Sequence, residues 1–524
     1  MQETLSGDFY TLAVRPDILI KVRERLRKLF RRDISIEWQQ GTLRVQFTSE
    51  GSTEAKYTSG REASGLIHLV GILAAIYDDD VGALLLDEPE VSLHPQLQSF
   101  LRREIEEASG APDDASYKKI IVLCTHSTEF VKINTPLDLT TIVLCQALSK
   151  QPIQINPETP ELLSKKMYGL AARLGHEHKS AFFANRPLLV EGPSDAIICG
   201  ALSGRLDLPL EAAGVQIVPV IGKGEFPLVS KLFRLLGKNP AILLDADGIA
   251  DGLSTVNSFL HTPSAVEFAN SKLGQESAIH FSKQVYDAFS KLVQNRWHEI
   301  ESLAVKHPYW SARSSQDDDL TPKLRATFST LFQCQNDSLS CLSSDGAWQK
   351  IKARLTLLLD LLESQGCFVL RKGTIESYYA NIASSEKVLS AATEASSLGG
   401  RSVEEVSAHF DDIVRCLTTV AAVPSIVEAD SLQDTLLRVA VPILARFQNG
   451  ERGEDLVASI GNAPDRPEAI FSFTASNDKI EIDLNSKVLK VPGFPMSFTR
   501  KSNIVAEITR SIGTRRKSSV DANE

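Results

Sequence analysis

Short, mostly apolar runs recur along the chain, and each ends directly in a polar residue or a glycine. The runs comprise residues 83–86, 120–124, 188–190, 215–221, 241–244 and 368–370. A short continuous apolar run is typical of a strand that is buried on both faces of a parallel sheet. The pattern therefore predicts an α/β fold in which buried parallel strands alternate with helices.

Other segments show helical or alternating spacing. Helical spacing dominates residues 17–32, 164–184, 250–365 and 386–450, and strand-like alternation marks residues 42–47 and 471–491. The basic segment 17–32 is typical of a solvated amphipathic helix, with nucleic-acid contact as the alternative. Residues 314–319 predict an acidic loop. The basic residues 515–517 predict a disordered tail, with contact to backbone phosphates as the alternative.

Composition narrows the class of protein. A length of 524 residues suggests about three domains, and 43% apolar with 23% charged residues is ordinary for a soluble globular chain. The net charge of −10 excludes a uniformly basic nucleic-acid coat protein but permits a local basic groove. Seven cysteines without regular spacing argue against a disulfide framework. With no apolar run of membrane-spanning length, we expect a cytoplasmic protein that does not enter a membrane.

Two carboxylates and a histidine follow the first two apolar runs. Asp87 and Glu88 end the run 83–86, and His126 comes just after the run 120–124. Ligands of open α/β sheets bind at these strand ends. There Asp87 is suited to Mg²⁺, Glu88 to polarising a water, and His126 to sensing a terminal phosphate. An ordinary loop histidine is the alternative for His126 taken alone.

These residues resemble the head of ABC-type ATPases. The matching residues are Asp87 and Glu88 for the Walker B pair, His126 for the switch histidine, 92–95 for the D-loop, and Ser64 and Gly65 for the signature motif. Ser59-Gly60 is a rival placement of the signature, and neither is a full LSGGQ. The resemblance implies that Asp87 holds Mg²⁺, that Glu88 and His126 are catalytic, and that Ser64 and Gly65 contact the nucleotide.

The phosphate-binding loop of such a head is missing from the sequence. No GxxxxGK[ST] occurs, and the Gly-Lys pairs at 222–223 and 237–238 lack both the spacing and the hydroxyl residue. Three explanations stay open: a truncated start, a lobe supplied by a partner, or a head that no longer hydrolyses ATP. We expect ATP with Mg²⁺ to bind only if a Walker A lobe is supplied.

A second set of carboxylates follows the later strands. Glu191 ends the run 188–190 and precedes Gly192, Ser194 and Asp195, which suit a turn and the first turn of a helix, with Ser194 as a candidate cap. Asp245 and Asp247 end the run 241–244, and in extended geometry both would point to one side. So many carboxylates at strand ends repel one another unless divalent cations neutralise them. For the segment after Glu191 or the segment with Asp245 and Asp247 taken alone, an ordinary surface turn is the alternative.

This arrangement resembles the TOPRIM domain, and an ABC head followed by TOPRIM resembles the OLD (overcoming lysogenisation defect) family. The resemblance implies a metal-dependent DNA endonuclease with Glu191, Asp195, Asp245, Asp247 and Glu376 as ligands of two Mg²⁺ or Mn²⁺ ions. Glu376 and Lys372 match a late glutamate and lysine of the family. Lys372 would stabilise charge at the cleaved phosphate.

The sequence thus predicts four segments in an α/β protein. They are a partial ABC-type ATPase domain (1–150), a connector (151–185), a TOPRIM nuclease domain (186–385) with a helical insertion at about 250–365, and a mixed C-terminal region of unknown role (386–524). By resemblance we expect a role in antiphage defence, DNA as substrate, a homodimer or larger homo-oligomer, and a helicase-like or ATPase partner. The alternative is a non-catalytic regulatory or assembly subunit whose degenerate ATPase head docks a partner.

Overall fold

A computed structural model of the chain describes residues 9–39, 42–49, 56–113, 116–313, 319–380, 386–422, 428–460, 470–476, 478–489, 491 and 493–512. The chain divides into two compact units, Met1–Ala421 and Ala422–Glu524. All but the last residue of the predicted loop 314–319 lies outside the described residues, as does the basic tail 515–517. No described helix is long and apolar enough to cross a membrane.

The strands of the described residues belong to five small sheets. They are β1 Arg32–Gln39, β2 Thr42–Ser49, β3 Tyr57–Thr58, β4 Ala83–Asp87, β5 Ile120–Cys124, β6 Val143–Leu144, β7 Ile153–Gln154, β8 Arg186–Val190, β9 Val215–Pro219, β10 Ala241–Leu244, β11 Cys367–Val369, β12 Phe471–Ala475, β13 Lys479–Leu484 and β14 Met496–Thr499.

From Pro16 onward, α-helices connect these strands. In the first unit they are α1 Pro16–Phe30, α2 Ser64–Tyr77, α3 Pro95–Ala108, α4 Lys165–Ala171, α5 His176–Phe183, α6 Pro193–Arg205, α7 Phe226–Leu235, α8 Asp247–Ala250, α9 Asn257–Leu260, α10 Pro263–Phe268, α11 Ala278–Ala304, α12 Pro308–Ser311, α13 Leu320–Gln333, α14 Asn336–Ser340, α15 Ala347–Ser364, α16 Lys387–Ser397, α17 Val403–His409 and α18 Asp411–Val420. In the second unit they are α19 Glu428–Gln448, α20 Gly453–Ile460 and α21 Ile504–Ile512.

The N-terminal part of the first unit has a hydrophobic core of its own. Helix α1 begins with Pro16, whose ring suits the first helical position, and buries Ile18, Val22 and Leu26 at a spacing of four residues. The antiparallel pair β1–β2 and the almost wholly apolar helix α2 pack in the same core. The basic side chains of α1 include Arg23, which pairs with Asp33. The prediction of an amphipathic helix here is therefore confirmed.

Strands β4 and β5 form a parallel pair, as the apolar runs predict. Their burial differs from the prediction, because only one face lies on the core. On the other face Leu85 is 78% exposed, and Ile120 and Val122 are more than half exposed. The prediction that both strands are buried on two faces is therefore wrong. The sequence could not reveal this, because an apolar run is compatible with any number of covering layers, and within the described residues nothing covers this face.

Strands β8 to β11 form the central sheet of the unit, in the order β11-β10-β8-β9 with every pair parallel. Both faces are buried, because neighbouring side chains along each strand point into two different cores. One core contains Leu189, Ile242, Leu244 and Val369, and the other contains Leu188, Val190, Leu243 and Phe368. The predicted buried strands of this sheet are thus confirmed.

A helical insertion separates β10 from β11, as predicted for residues 250–365. Helices α11, α13 and α15 contribute Phe289, Phe328 and Trp348 to the first of the two sheet cores. Residues from Ile133 to Leu174 join the same core, although the sequence analysis assigns 133–150 to the ATPase domain. Helix α5 also belongs to this layer and leads straight into β8.

The C-terminal 139 residues, predicted as one region from 386, fall into both units. Helix α18 places Ile413, Cys416 and Leu417 in the second sheet core, so residues 386–421 complete the first unit. The second unit contains the antiparallel sheet β12-β13-β14 and a core of its own that includes Ile480 and Phe498. The predicted mixture of helices and strands is therefore present.

Candidate functional site

Three carboxylates meet at the carboxyl-terminal edge of the central sheet. Glu191 directly follows β8, Asp245 directly follows the neighbouring β10, and Asp247 begins α8. One carboxylate oxygen from each of the three lies within 4.8 Å of the others. The carboxyl ends of parallel strands share one edge, which is why residues more than fifty positions apart meet here. The predicted convergence of Glu191, Asp245 and Asp247 is confirmed.

The backbone brings Asp245 and Asp247 together by a turn. Ala246 has α-helical dihedral angles (φ −54°, ψ −31°), so the chain leaves the extended conformation at once. The prediction that an extended chain points both carboxylates to one side is therefore wrong in its mechanism. Gly248 lies under the side chain of Leu244, where an added Cβ would stand 3.2 Å from the leucine Cβ. This close approach seats the turn on the strand.

The Asp195 carboxylate caps a helix and also lies near the cluster. Its Oδ2 accepts a hydrogen bond from the backbone N–H of Gly192 at 3.0 Å, at the start of α6. Gly192, not Ser194, is the N-cap residue, so the capping prediction for Ser194 is wrong. The Asp195 side chain is almost completely buried (5% exposed). Its second oxygen, Oδ1, is not part of this capping contact.

Burial and nearby acidic groups make Glu191, Asp195 and Asp245 hard to ionise. Burial, and then the charges of Asp247 and Asp195, raise the pKa of Glu191 to about 6. Burial also raises the pKa of Asp195 to about 6. The pKa of Asp245 lies well above its usual range, first because it is buried and then because Asp195, Glu191 and other acids surround it.

The donor set fits a divalent cation. Oδ1 of Asp245 and Oδ1 of Asp247 are buried and have no hydrogen-bond partner. Buried polar atoms are normally paired, and leaving a carboxylate oxygen unpaired is costly. Carboxylate oxygens are the ligands that Mg²⁺ and Mn²⁺ prefer. Glu191, Asp245 and Asp247 could therefore hold such a cation.

Glu376 approaches the cluster from the loop after β11. It lies in the 3₁₀ turn Ile375–Tyr378, and it contributes to the electrostatic environment that raises the pKa of Asp245. Burial raises the pKa of Glu376, but hydrogen bonds and the ammonium of Lys387 outweigh this and lower it. Lys387, at the start of α16, pairs with Glu376 at 3.1 Å. Glu376 is thus near the three carboxylates without belonging to their closest group.

The ammonium of Lys372 pairs with groups of later helices. Its ammonium donates to the backbone carbonyl of His409 at 2.8 Å and to Asp411 at 3.1 Å. It also lies over the ring of Tyr378, 4.6 Å from the centroid. These contacts hold Lys372 against helices α17 and α18. Its predicted role at the cleaved phosphate stays a prediction.

Four residues near the cluster were missed by the sequence analysis. Lys223 donates to Asp247 at 2.7 Å, and Arg325 pairs with Asp251. The negative charges of the acidic cluster also act on Tyr309 and Lys387. Lys223 follows β9, the strand beside β8, so its place at a strand end was a signal. Arg325 and Tyr309 come from the helical insertion, and no local pattern indicates which of its faces turns toward the site.

A second group of predicted residues lies at the ends of β4 and β5. His126 Nε2 is 3.7 Å from Glu88 Oε1, and Asp87 ends the strand beside them. Glu88 has a positive φ of 45°, a conformation that residues other than glycine rarely adopt. The side chains of Glu88 and His126 are mostly exposed (53% and 82%). The predicted switch histidine and Walker B carboxylates are therefore brought together at an open strand edge.

The two residues predicted as the signature motif, Ser64 and Gly65, begin helix α2, and Ser64 is exposed at its first position. Gly65 is pressed against the predicted D-loop, because an added Cβ would stand 2.2 Å from the backbone oxygen of Ser92. Gly65 thus has a packing reason to be glycine. Its predicted contact with nucleotide stays a prediction.

Comparison with known families accounts for both groups of residues. Residues 182–247 match the family described as "Overcoming lysogenization defect protein-like, TOPRIM domain". This stretch contains Glu191, Asp195, Asp245 and Asp247. The chain has an OLD-like TOPRIM domain. Residues 21–132 match the family described as "AAA domain, putative AbiEii toxin, Type IV TA system". Along the chain, the match to an ATPase-type family thus precedes the match to a TOPRIM family.

Two proteins named as nucleases are similar to part of the chain. The chain is 26% identical over 210 residues to the OLD nuclease of Thermus scotoductus, which is 39% of each chain. It is 29% identical over 153 residues to endonuclease GajA of Bacillus cereus, which is 28% of this chain and 23% of the relative. The chain thus matches less than half the length of either relative. Glu376 and Lys372 lie outside the matched TOPRIM stretch.

Proposed function

We propose that the chain is a metal-dependent DNA endonuclease that hydrolyses phosphodiester bonds in its TOPRIM domain. The observation that carries the proposal is the group formed by Glu191, Asp245 and Asp247, with two buried carboxylate oxygens that lack a partner. Both relatives are named as nucleases. A set of carboxylates that repel one another is unfavourable by itself, so their concentration at one sheet edge favours a cation-binding role.

In this proposal two Mg²⁺ or Mn²⁺ ions are held by five carboxylates: Glu191, Asp195, Asp245, Asp247 and Glu376. Such ions activate water and stabilise the leaving oxygen of a phosphodiester. Asp245 and Asp247 would hold the ions through carboxylates whose Oδ1 atoms have no hydrogen-bond partner, and the turn at Ala246 sets the separation of these two residues. Asp195 contributes its Oδ1 while Oδ2 keeps helix α6 capped. The strands fix these groups in advance, so little ordering is left for the moment of reaction.

The direct test is cleavage of supercoiled plasmid DNA by the purified chain. We expect nicked and then linear DNA with Mg²⁺ or Mn²⁺, and intact plasmid with EDTA. Cleavage that persists at full rate in EDTA would contradict a metal-dependent reaction. Absence of cleavage with either ion, although the chain binds Mn²⁺, would favour a non-catalytic role.

The raised pKa values of Glu191 and Asp195 predict a pH dependence for metal binding. Protons compete with the metal at both groups, so Mn²⁺ affinity should rise at least tenfold between pH 5 and pH 7 and then level off. Stability of the metal-free chain runs the other way. Because the folded pKa values lie above the ordinary ones, folding favours the protonated forms. That contribution is present below about pH 4 and is lost as pH rises through about 6.

Isothermal titration with Mn²⁺ and thermal unfolding without metal, both from pH 5 to pH 8, measure the two trends. A Mn²⁺ affinity that does not change across this range would contradict the assignment of Glu191 and Asp195 as ligands.

We further propose that the N-terminal part is an ATPase module that is completed by a segment carrying a GxxxxGK[ST] loop. Asp87, Glu88 and His126 lie together at one strand edge, and the adjoining apolar face with Leu85 and Val122 is exposed. The chain alone should bind ATP only in the millimolar range, because its sequence contains no GxxxxGK[ST] loop to supply a backbone cradle and a lysine for the phosphates. Equilibrium titration with ATP and Mg²⁺ tests this, and micromolar affinity would contradict it.

The same exposed face favours the second candidate function, a regulatory or assembly subunit that docks a partner through its ATPase-type domain. A face with several exposed large apolar side chains is a common feature of interaction surfaces. This candidate predicts a stable complex and no cleavage. Resemblance to the family supports three finer proposals: a homodimer or larger oligomer, a helicase-like or ATPase partner, and a role in antiphage defence.

A further inference from the structure

Lys223 occupies an unusual position beside the carboxylates, on the turn that follows β9. The turn is tied to the site through its backbone, because the N–H of Gly222 donates to the carbonyl of Glu191 at 3.0 Å. Ile221, just before it, has a positive φ of 58°, and its side chain is exposed. A β-branched residue rarely adopts this conformation, and strain of this kind collects at functional sites. The backbone thus places Lys223 firmly at the sheet edge.

The Lys223 ammonium bridges two carboxylates that differ in their other partners. It donates to Oδ2 of Asp247 at 2.7 Å and also to Oδ2 of Asp251. Asp251 is already held by Arg325, whose guanidinium donates to both carboxylate oxygens at 2.6 Å each. Asp247 has only a distant contact with Arg325, at 3.9 Å, and its Oδ1 has no partner. Lys223 can therefore leave Asp247 and still keep an anchor on Asp251.

We propose that Lys223 is an exchangeable counter-cation of the carboxylate site and a contact for the DNA phosphate. Without a divalent ion its ammonium neutralises Asp247. With an ion on Asp247, the ammonium gives up that carboxylate, stays anchored near Asp251, and faces the substrate phosphate. This inference rests on the proposed function, because it assumes that Asp247 is a metal ligand and that DNA is the substrate.

The charges support such an exchange. A lysine and a divalent ion that share one carboxylate repel each other. Even at a protein surface, the interaction energy of two charges a few ångströms apart is on the order of kilocalories per mole. Removing the ammonium should therefore strengthen metal binding. A lysine that contacts a phosphate in the complex should, when removed, weaken DNA binding and reduce its salt dependence. Few other roles predict changes of opposite sign for metal and DNA.

The experiment uses Lys223→Met, the charge-preserving Lys223→Arg, and Lys231→Met as a matched control. Lys231 lies on the next helix, α7, and pairs with Glu161, which is far from it in the sequence. Mn²⁺ is titrated into each full-length variant without DNA. We expect Lys223→Met to bind Mn²⁺ about tenfold more tightly than the parent, and the other two variants to bind within about twofold of it. Thermal unfolding verifies that each variant is folded.

A second arm measures binding of a short DNA duplex with Ca²⁺ in place of Mn²⁺. Lys223→Met should bind at least tenfold more weakly, with the salt slope reduced by about one unit, and Lys231→Met should match the parent. Equal Mn²⁺ affinity in Lys223→Met and parent would overturn the counter-cation role alone. Equal DNA affinity would overturn the phosphate contact. A parent that binds no Mn²⁺ would overturn the proposed metal site and this inference with it.

Discussion

Replacing Asp245 by asparagine is expected to stabilise the metal-free chain while abolishing its metal-dependent cleavage. Asp245 is 8% exposed, surrounded by other acids, and its pKa lies well above the usual range, so at neutral pH the folded chain pays a cost for burying it. An amide of the same shape removes that cost and should raise the free energy of unfolding by about 2 kcal/mol. The same change removes a metal ligand. Plasmid cleavage with Mn²⁺ should fall at least a thousandfold.

The measurements are thermal unfolding with and without Mn²⁺, and cleavage in the same buffer. Mn²⁺ should raise the melting temperature of the parent and leave that of Asp245→Asn almost unchanged. Asp337→Asn serves as the control, because Asp337 is an exposed residue of α14. Two results together would contradict this account: a lower melting temperature of Asp245→Asn than of the parent without metal, and a rise in the melting temperature of Asp245→Asn on adding Mn²⁺. Asp245 would then be an ordinary buried acid and not a ligand.

Replacing Asp412 by alanine is expected to cost about 3 kcal/mol of stability. Its side chain is 2% exposed and accepts hydrogen bonds from the backbone N–H of Arg371, from the hydroxyl of Tyr378 and from Arg415. Loss of the carboxylate leaves buried donors without a partner. Because these contacts hold the loop between β11 and Glu376, Mn²⁺ affinity should also fall.

Asp411→Ala is a matched control for this variant. Asp411 is the neighbouring residue, is 45% exposed, and pairs with Lys372. An exposed pair contributes little, so the loss of stability should stay below about 1 kcal/mol. Urea unfolding of the parent and both variants gives the comparison. Equal destabilisation by the two substitutions would show that the buried network around Asp412 does not hold the loop.

The sequence predicted the central sheet and its three main carboxylates because both depend on local pattern and on one general rule. Short apolar runs mark the strands of this sheet, and the carboxyl ends of parallel strands meet at one edge. Glu191, Asp245 and Asp247 therefore could be placed together from spacing alone. The turn at Ala246 could not, since Asp-Ala-Asp is compatible with extended and helical backbone alike.

The errors came from contacts between distant parts of the chain. The exposure of Leu85 depends on which layers cover β4 and β5, and a single run of residues contains no such information. The role of Lys372 is a prediction from the family resemblance, and its ammonium pairs with His409 and Asp411 on later helices. Lys223 was examined only as part of a phosphate-binding loop. Lys223 lies next to Asp247 because it follows β9 and Asp247 follows β10, and both strands neighbour β8 in the sheet.

We propose that the carboxylates at this sheet edge form the site of DNA hydrolysis. The most direct measurement is Mn²⁺-dependent plasmid cleavage by the parent and by the double variant Asp245→Ala, Asp247→Ala, prepared in parallel and shown to be folded. We predict cleavage by the parent and none above background by the double variant. Equal cleavage by the two proteins would contradict the claim.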